Sequence, residues 1–463
     1  MTDWMPVSGV SLTLSILRSA MRHRRHFLRE GLGWIAGVAI CSSIERGQAS
    51  ANEAEVVEFM GSTAAELQAE MFRLSGRKSQ IRLAAQQTLT CPMREDIVAG
   101  EKSPHALLVP DGVELNLNGG TLLLDLRSNG YGVRLSNDST IRNGTIRVVH
   151  SEGKGSQGCW HSAISMGAAY GDGGTPEKPG HFTKVTGWTI DQITIDQQVE
   201  ASAIQLMSEA CNGIIRNVTI QDSAKALLGI GMDWGSVGPI MTADQLLPRM
   251  RELWDQKQIY STHPHDITIE DIRIGRLTRN QDANDAGIRC SACHRVSIKN
   301  VEIEEAACAV AIWGGDFGYE FAPDDQYAVA HTGYRIENVT IHKAQRFGLV
   351  LNGSSDNVFR ARRDLGYQPR RDPLKPGITK PIIKNVSLNA GEMTEAQGLY
   401  AVAVSEVEFD SIRFAGFKIG VHAEDAVAGM HFHQTEFANV KEKAKIQGDT
   451  VPAIDVTFDP PLR

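Results

Sequence analysis

Ile298-Lys299-Asn300-Val301-Glu302-Ile303 decides the reading of this chain, because its phrase returns as IRNVTI at 215–220, IEDIRI at 269–274 and IENVTI at 336–341. Every copy is apolar at its first, fourth and sixth places, and Asn217, Asp271, Asn300 and Asn338 hold the third. A short strand that returns once per coil with its amide or carboxylate in the same place is the signature of a parallel β-helix. The apolar members, Ile298 and Val301 among them, are expected to stack inward. The Asn/Asp column is expected to mark a bend whose side chains bond along the axis.

The phrase extends in both directions, to Ile141, Ile190, Ile383, Phe409 and Phe432. Some returns, such as Ile190 to Ile215 and Phe409 to Phe432, are near one bare coil; others, such as Ile215 to Ile269, are about twice as long. The surplus must leave as loops, which repeat proteins tend to place on one face, often the binding face.

Composition fits one solenoid, which grows along its axis and needs no second core even at 463 residues. The reading is of an all-β, single right-handed parallel β-helix spanning 52–463, acting as a monomer. The 44 glycines suit many tight turns, and a net charge of −8 argues against nucleic acid as the main partner. Seven cysteines are too few for a disulfide scaffold in so long a chain.

Residues 1–51 read as a signal peptide with an upstream extension. Arg24-Arg25-His26-Phe27-Leu28, an apolar run from Gly31 to Ile44 and Ala49-Ser50-Ala51 follow the order of a cleaved signal of twin-arginine type. The mature chain is expected to begin near Asn52, with Met21 as the start and a periplasmic or extracellular destination. The apolar run falls short of the ~20 residues that span a bilayer, so no membrane span is expected in the mature chain. After it, Thr63-Ala64-Ala65-Glu66 fits a capping box, and Leu67, Met71 and Leu74 share one helical face. Such a helix would cover the open N-terminal end of the solenoid.

A second strand recurs after the Asn-bearing one: 203–207, 229–233, 287–291, 311–313 and 348–352. Alternation sends Asp233, Ser291, Trp313 and Asn352 outward in one column and Arg289 outward in the next. Long insertions follow these strands. The one after Asp233 returns through His263 and His265, and the one from Ser354 to Lys380 sets seven basic side chains, Arg362 and Arg363 among them, against three aspartates. Guanidinium binds carboxylate or sulfate in bidentate fashion.

The repeated phrase, the capping helix and the export signal together resemble the pectin-lyase-like superfamily of right-handed parallel β-helices, which includes pectate lyases, polygalacturonases and chondroitinase B-like lyases. The resemblance implies a carbohydrate-active protein that binds an acidic polysaccharide in a groove along one sheet. The aspartate motifs of polygalacturonases are not matched, since the corresponding strands open with Asn284-Asp285, Ala306-Ala307-Cys308 and Arg346-Phe347-Gly348.

Two chemistries remain. β-Elimination beside a uronate carboxylate needs a base and a cation, for which Asp233, His263, His265, Arg289 and Arg335 are the available groups. Hydrolysis needs two carboxyl groups, and Asp233 with Asp316, two coils apart at ~9.6 Å, approaches the ~6.5–9.5 Å of inverting enzymes. Trp313, Asn352, Arg335, Arg362 and Arg363 would hold substrate. Asp282 and Asp285 in an acidic turn could hold Ca²⁺ through oxygen ligands. A glycan-binding surface protein without catalysis is the alternative of a different class. Cys290-Ser291-Ala292-Cys293-His294 matches a haem-attachment pattern, but Cys290 falls at an inward position, so buried thiols are expected.

Overall fold

The computed structural model describes residues 55–94, 105–126, 131–151, 162–167, 184–196, 202–233, 263–279, 285–291, 293–314, 331–353, 377–392, 395–448 and 452–462. Residues 1–54, most of the insertion residues, Asp282, Asp316, Arg362 and Arg363 lie outside them. The described residues form one network of strands paired in parallel, coil upon coil, from Glu55–Phe59 to Ile454–Asp459. Among them no helix is long and apolar enough to cross a membrane.

The spacing of the phrase has a backbone cause. Asn143, Gln192, Asn217, Asp271, Asn300, Asn338, Asn385, Ser411 and Gln434 all have positive φ, between 50° and 59°. Asn and Asp tolerate this left-handed conformation better than most residues. The bend shifts the in–out alternation by one, so the first and fourth places both point inward; Ile298 and Val301 are buried as expected. The side chains form a ladder along the axis: Asn300 Nδ2 donates to Asp271 Oδ1 (2.8 Å), Asn338 Nδ2 to Asn300 Oδ1 (2.9 Å) and Asn385 Nδ2 to Asn338 Oδ1 (3.2 Å).

A second left-handed column stands five residues earlier in most coils: Asp138, Gly187, Asn212, Asp266, Arg295, Gly333, Lys380, Glu406 and Gly429. Its residue types are mixed, with glycine, acidic, basic and amide side chains all occurring, so sequence reading passed over it. Between the bends, and after them, each coil contributes further strand.

The helix Ala64–Leu74 begins at Thr63, whose Oγ1 accepts from the Glu66 backbone while Glu66 Oε2 accepts from the Thr63 backbone. Leu67, Met71 and Leu74 are fully buried. Gln68 does what hydrophobicity cannot: its amide donates to Leu108 O and accepts from Leu108 N, both at 2.8 Å, and so satisfies a strand edge. The solenoid starts before the helix, because Glu55–Phe59 already pairs with Ser79–Leu83.

Inside, aliphatic stacks give way to aromatic ones near the C-terminus, with Phe409 on Phe432 at 4.3 Å and Phe432 on Phe458 at 4.6 Å between centroids. Cys290 and Cys293 are fully buried thiols within this core, Cys293 Sγ donating to Ser291 O at 3.2 Å, and burial pushes the Cys293 thiol well above its ordinary range.

Candidate functional site

The strands Ser202–Met207, Leu228–Asp233, Ala286–Ser291, the ends of His294–Trp313 and Arg335–Asn352, then Gln397–Val402, Ile419–Ala423 and Glu442–Ile446 stack into one sheet. Ile288, Cys290, Leu349, Leu351, Leu399 and Val421 point into the core. Their neighbours therefore point out. One outward column reads Gln205, Gly231, Arg289, Ala311, Val350, Tyr400, His422, Lys445. The column beside it brings Asp233, Trp313 and Asn352 to the same face.

Of the residues expected from sequence, Arg289 and Asp233 meet as an ion pair at 3.7 Å, with Arg289 buried to 8% exposure. A carboxylate paired to a guanidinium is a poor base, so this pair is better suited to orienting a ligand than to moving its proton. Two coils on, Trp313 packs with Phe347, Tyr400, Ala311 and Val350 in an apolar cluster separate from the interior core. Its buried Nε1 finds no hydrogen-bond partner among the described residues.

The other expected residues do not join this face. His263 is buried with its ring edge-on to His294, and His265 sits at a bend bonded to Asp266. Arg335 is exposed on a different stretch of its coil, opposite Ser297 and Ile382, because the bend at Gly333 has turned the chain. Asp285 is buried at the start of its strand; its expected partner Asp282 and the expected acid Asp316 lie outside the described residues.

What sequence reading missed stands further along the sheet. Tyr400, His422 and Lys445 are register neighbours on three successive coils, ~4.8 Å apart. Tyr400 Oη donates to Glu424 Oε2 at 2.7 Å, and the Tyr400 and His422 rings meet edge-on at 5.6 Å. His422 Nδ1 lies 2.9 Å from Gln397 Oε1, which as acceptor leaves the lone pair on Nε2. That Nε2 is buried, 3.4 Å from Glu424 Oε1, and makes no hydrogen bond among the described residues. Burial pushes the His422 pKa below its ordinary value, with Glu424 opposing and Lys445 assisting. Orphaned buried polar atoms are uncommon and concentrate where something else must bind. The sequence signal was available: a Tyr, a His and a Lys at equivalent places of Gly-Leu-Tyr-Ala, Gly-Val-His-Ala and Lys-Ala-Lys-Ile.

An open hollow of about 430 Å³ between Ile382, Lys384, Glu408, Asp410 and His433 lies elsewhere, beside the Asn-bearing bends. Glu408 and His433 there are half exposed and only 3.7 Å apart, an ordinary surface pair.

No protein-family model and no curated protein matches the sequence. Among solved structures, a double mutant of the tailspike protein of E. coli bacteriophage HK620 in complex with pentasaccharide superposes with a TM-score of 0.52 at 10% identity, covering 83% of this chain. The chain spans only 59% of that tailspike chain. The A-module of an Azotobacter vinelandii mannuronan C-5 epimerase (TM-score 0.38, 11% identity, 86% of this chain and 96% of that one) is a looser likeness. So is an alginate lyase from Paenibacillus sp. (0.28, 13% identity, 64% and 94%). The resemblance read from the repeated phrase thus holds at the level of fold, and the chain is a parallel β-helix.

Proposed function

We propose that this protein is carbohydrate-active, lays an acidic polysaccharide along the outward face from Asp233 to Lys445, and cleaves it by β-elimination. The observation that carries the reading is His422, a buried imidazole whose Nε2 makes no hydrogen bond among the described residues, held in one column between a phenol and an ammonium. β-Elimination asks for three groups: a base for the proton beside the uronate carboxylate, an acid for the leaving oxygen, and a cation for the charge that builds on the carboxylate. His422 Nε2 takes the proton, Tyr400 Oη returns one to the departing glycosidic oxygen, and Lys445 meets the carboxylate. Glu424 holds the phenol in place and Gln397 sets the imidazole tautomer.

Arg289 with Asp233 lies three coils from Tyr400, roughly 14 Å along the axis, so it serves a sugar two or three residues away on the same chain. Trp313 and Phe347, half-buried between the two centres, offer apolar faces on which sugar rings stack. The fold is shared with a tailspike bound to pentasaccharide, which supports the reading without specifying the reaction. The same reading makes the protein an exported one, since long acidic glycans lie outside the cell membrane.

The test is incubation of the purified chain with a panel of uronate and sulfated glycans, following ultraviolet absorbance of unsaturated ends together with new reducing ends. Both signals rising in step on a uronate polymer is the expected result. Reducing ends without unsaturation mean hydrolysis, and saturable binding with neither means a glycan-binding protein; each is contrary to the proposal.

A further inference from the structure

Around the corner from Asp233, a cluster of different chemistry is built by coil stacking. Glu209 and Cys211 sit two apart on the strand Glu209–Ile220 and so face the same way, while Ala210 between them belongs to the core. Cys211 stands directly beside His265 of the next coil. These two residues are far apart in the chain, with the long stretch 234–262 between them.

The geometry points to a divalent metal site formed by Glu209, Cys211 and His265, taking Zn²⁺ and tying the two coils that flank that stretch. A carboxylate oxygen, Sγ and an imidazole nitrogen lie within 4.8 Å of one another, and His265 Nε2 is already 3.6 Å from Glu209 Oε1. Tetrahedral zinc with bonds of about 2.0–2.3 Å needs donors roughly 3.3–3.8 Å apart, so the widest pair has to close by only about 1 Å. Mixed S, N and O donors favour zinc over calcium or magnesium, which take oxygen alone.

The surroundings match what a metal-binding histidine needs. His265 Nδ1 is 2.7 Å from Asp266 Oδ2, so the carboxylate accepts a hydrogen bond from Nδ1–H and leaves the lone pair on Nε2, on the side of Glu209. Asp266 is itself clamped by Arg295 Nε at 2.6 Å and Nη2 at 2.7 Å, which fixes the carboxylate beside the imidazole. Asn212 Nδ2 lies 3.7 Å from Cys211 Sγ. Lys184 Nζ, 2.6 Å from Glu209 Oε1, is the competing cation; its side chain is 58% exposed and can swing into solvent when a metal arrives. Three protein donors leave a fourth position for water.

Cobalt(II) reports on this site without any enzyme assay. The full chain, stripped with a chelator and titrated with Co²⁺, is expected to bind one equivalent with a near-ultraviolet thiolate-to-cobalt band, displaced by Zn²⁺. Cys211→Ser should lose the band. Asp266→Asn should weaken binding about 10- to 100-fold. Lys184→Met, at an exposed position that leaves coil packing alone, should bind more tightly. Absence of the band in the parent, its persistence in Cys211→Ser, or equal or weaker binding by Lys184→Met overturns the site.

Discussion

The column Asn217, Asp271, Asn300, Asn338, Asn385 and the column Gly231, Arg289, Ala311, Val350, Tyr400, His422 both advance one residue per coil on neighbouring flanks of the same solenoid. In the first, Asn or Asp returns because its short side chain both tolerates the left-handed bend and bonds along the axis, as it does from Asp271 to Asn385. In the second, the strand geometry imposes nothing on an outward side chain, and the types change at every step. Repetition therefore marks structure in this protein. Departure from repetition, combined with burial, is where the proposed chemistry lies.

That contrast can be broken by exchanging the consequences. His422→Gln retains the bond to Gln397 in one rotamer and removes the base, so turnover on a uronate substrate should fall about 10²- to 10⁴-fold while the melting temperature stays near the parent's. A His422→Gln protein that melts early with its residual activity intact would put His422 on the structural side of the divide. Asn300→Ala should behave the other way. It removes two ladder bonds and leaves a β-carbon at φ 53° without the compensating amide, for a loss of about 1–3 kcal/mol in denaturant unfolding with turnover unchanged. Asn300→Gly accommodates the bend and loses only the ladder. It should fall short of the alanine loss, which separates backbone from side-chain contributions.

A smaller effect follows from His422's charge. Its folded pKa lies below the ordinary value, so the folded state binds fewer protons than the unfolded one as pH drops. The stability it contributes is present above the ordinary histidine range near ~6.5 and is lost as pH falls through the folded pKa. The same group should set the acid limb of kcat/KM below ~6.5, and an acid limb at or above that value would remove His422 as the base.

The fold was legible because Ile298, Asn300 and Val301 obey a rule that returns many times, and a rule that returns can be read from one sequence. The second bend was not, since Asp138, Arg295, Lys380 and Glu406 occupy it with no common type. The outward placing of Asp233, Arg289 and Trp313 followed from alternation alone. Their pairing did not, because an ion pair between coils depends on register. Tyr400 and His422 were passed over since neither sits beside an insertion, and the expectation of a groove walled by loops drew attention to His263 and His265 instead. Those two are turned aside by bends that only the backbone reveals.

The central claim is that glycan lies on the outward face with its reacting sugar at His422. A crystal structure of the His422→Gln chain soaked with an oligouronate tests it most directly. Sugar rings are expected to run from Arg289 over Trp313 and Phe347, with one carboxylate at Lys445 and the C5 hydrogen of that sugar facing residue 422. An oligosaccharide bound along the Asn300 ladder, or on this face with no acidic group near Lys445, would contradict it.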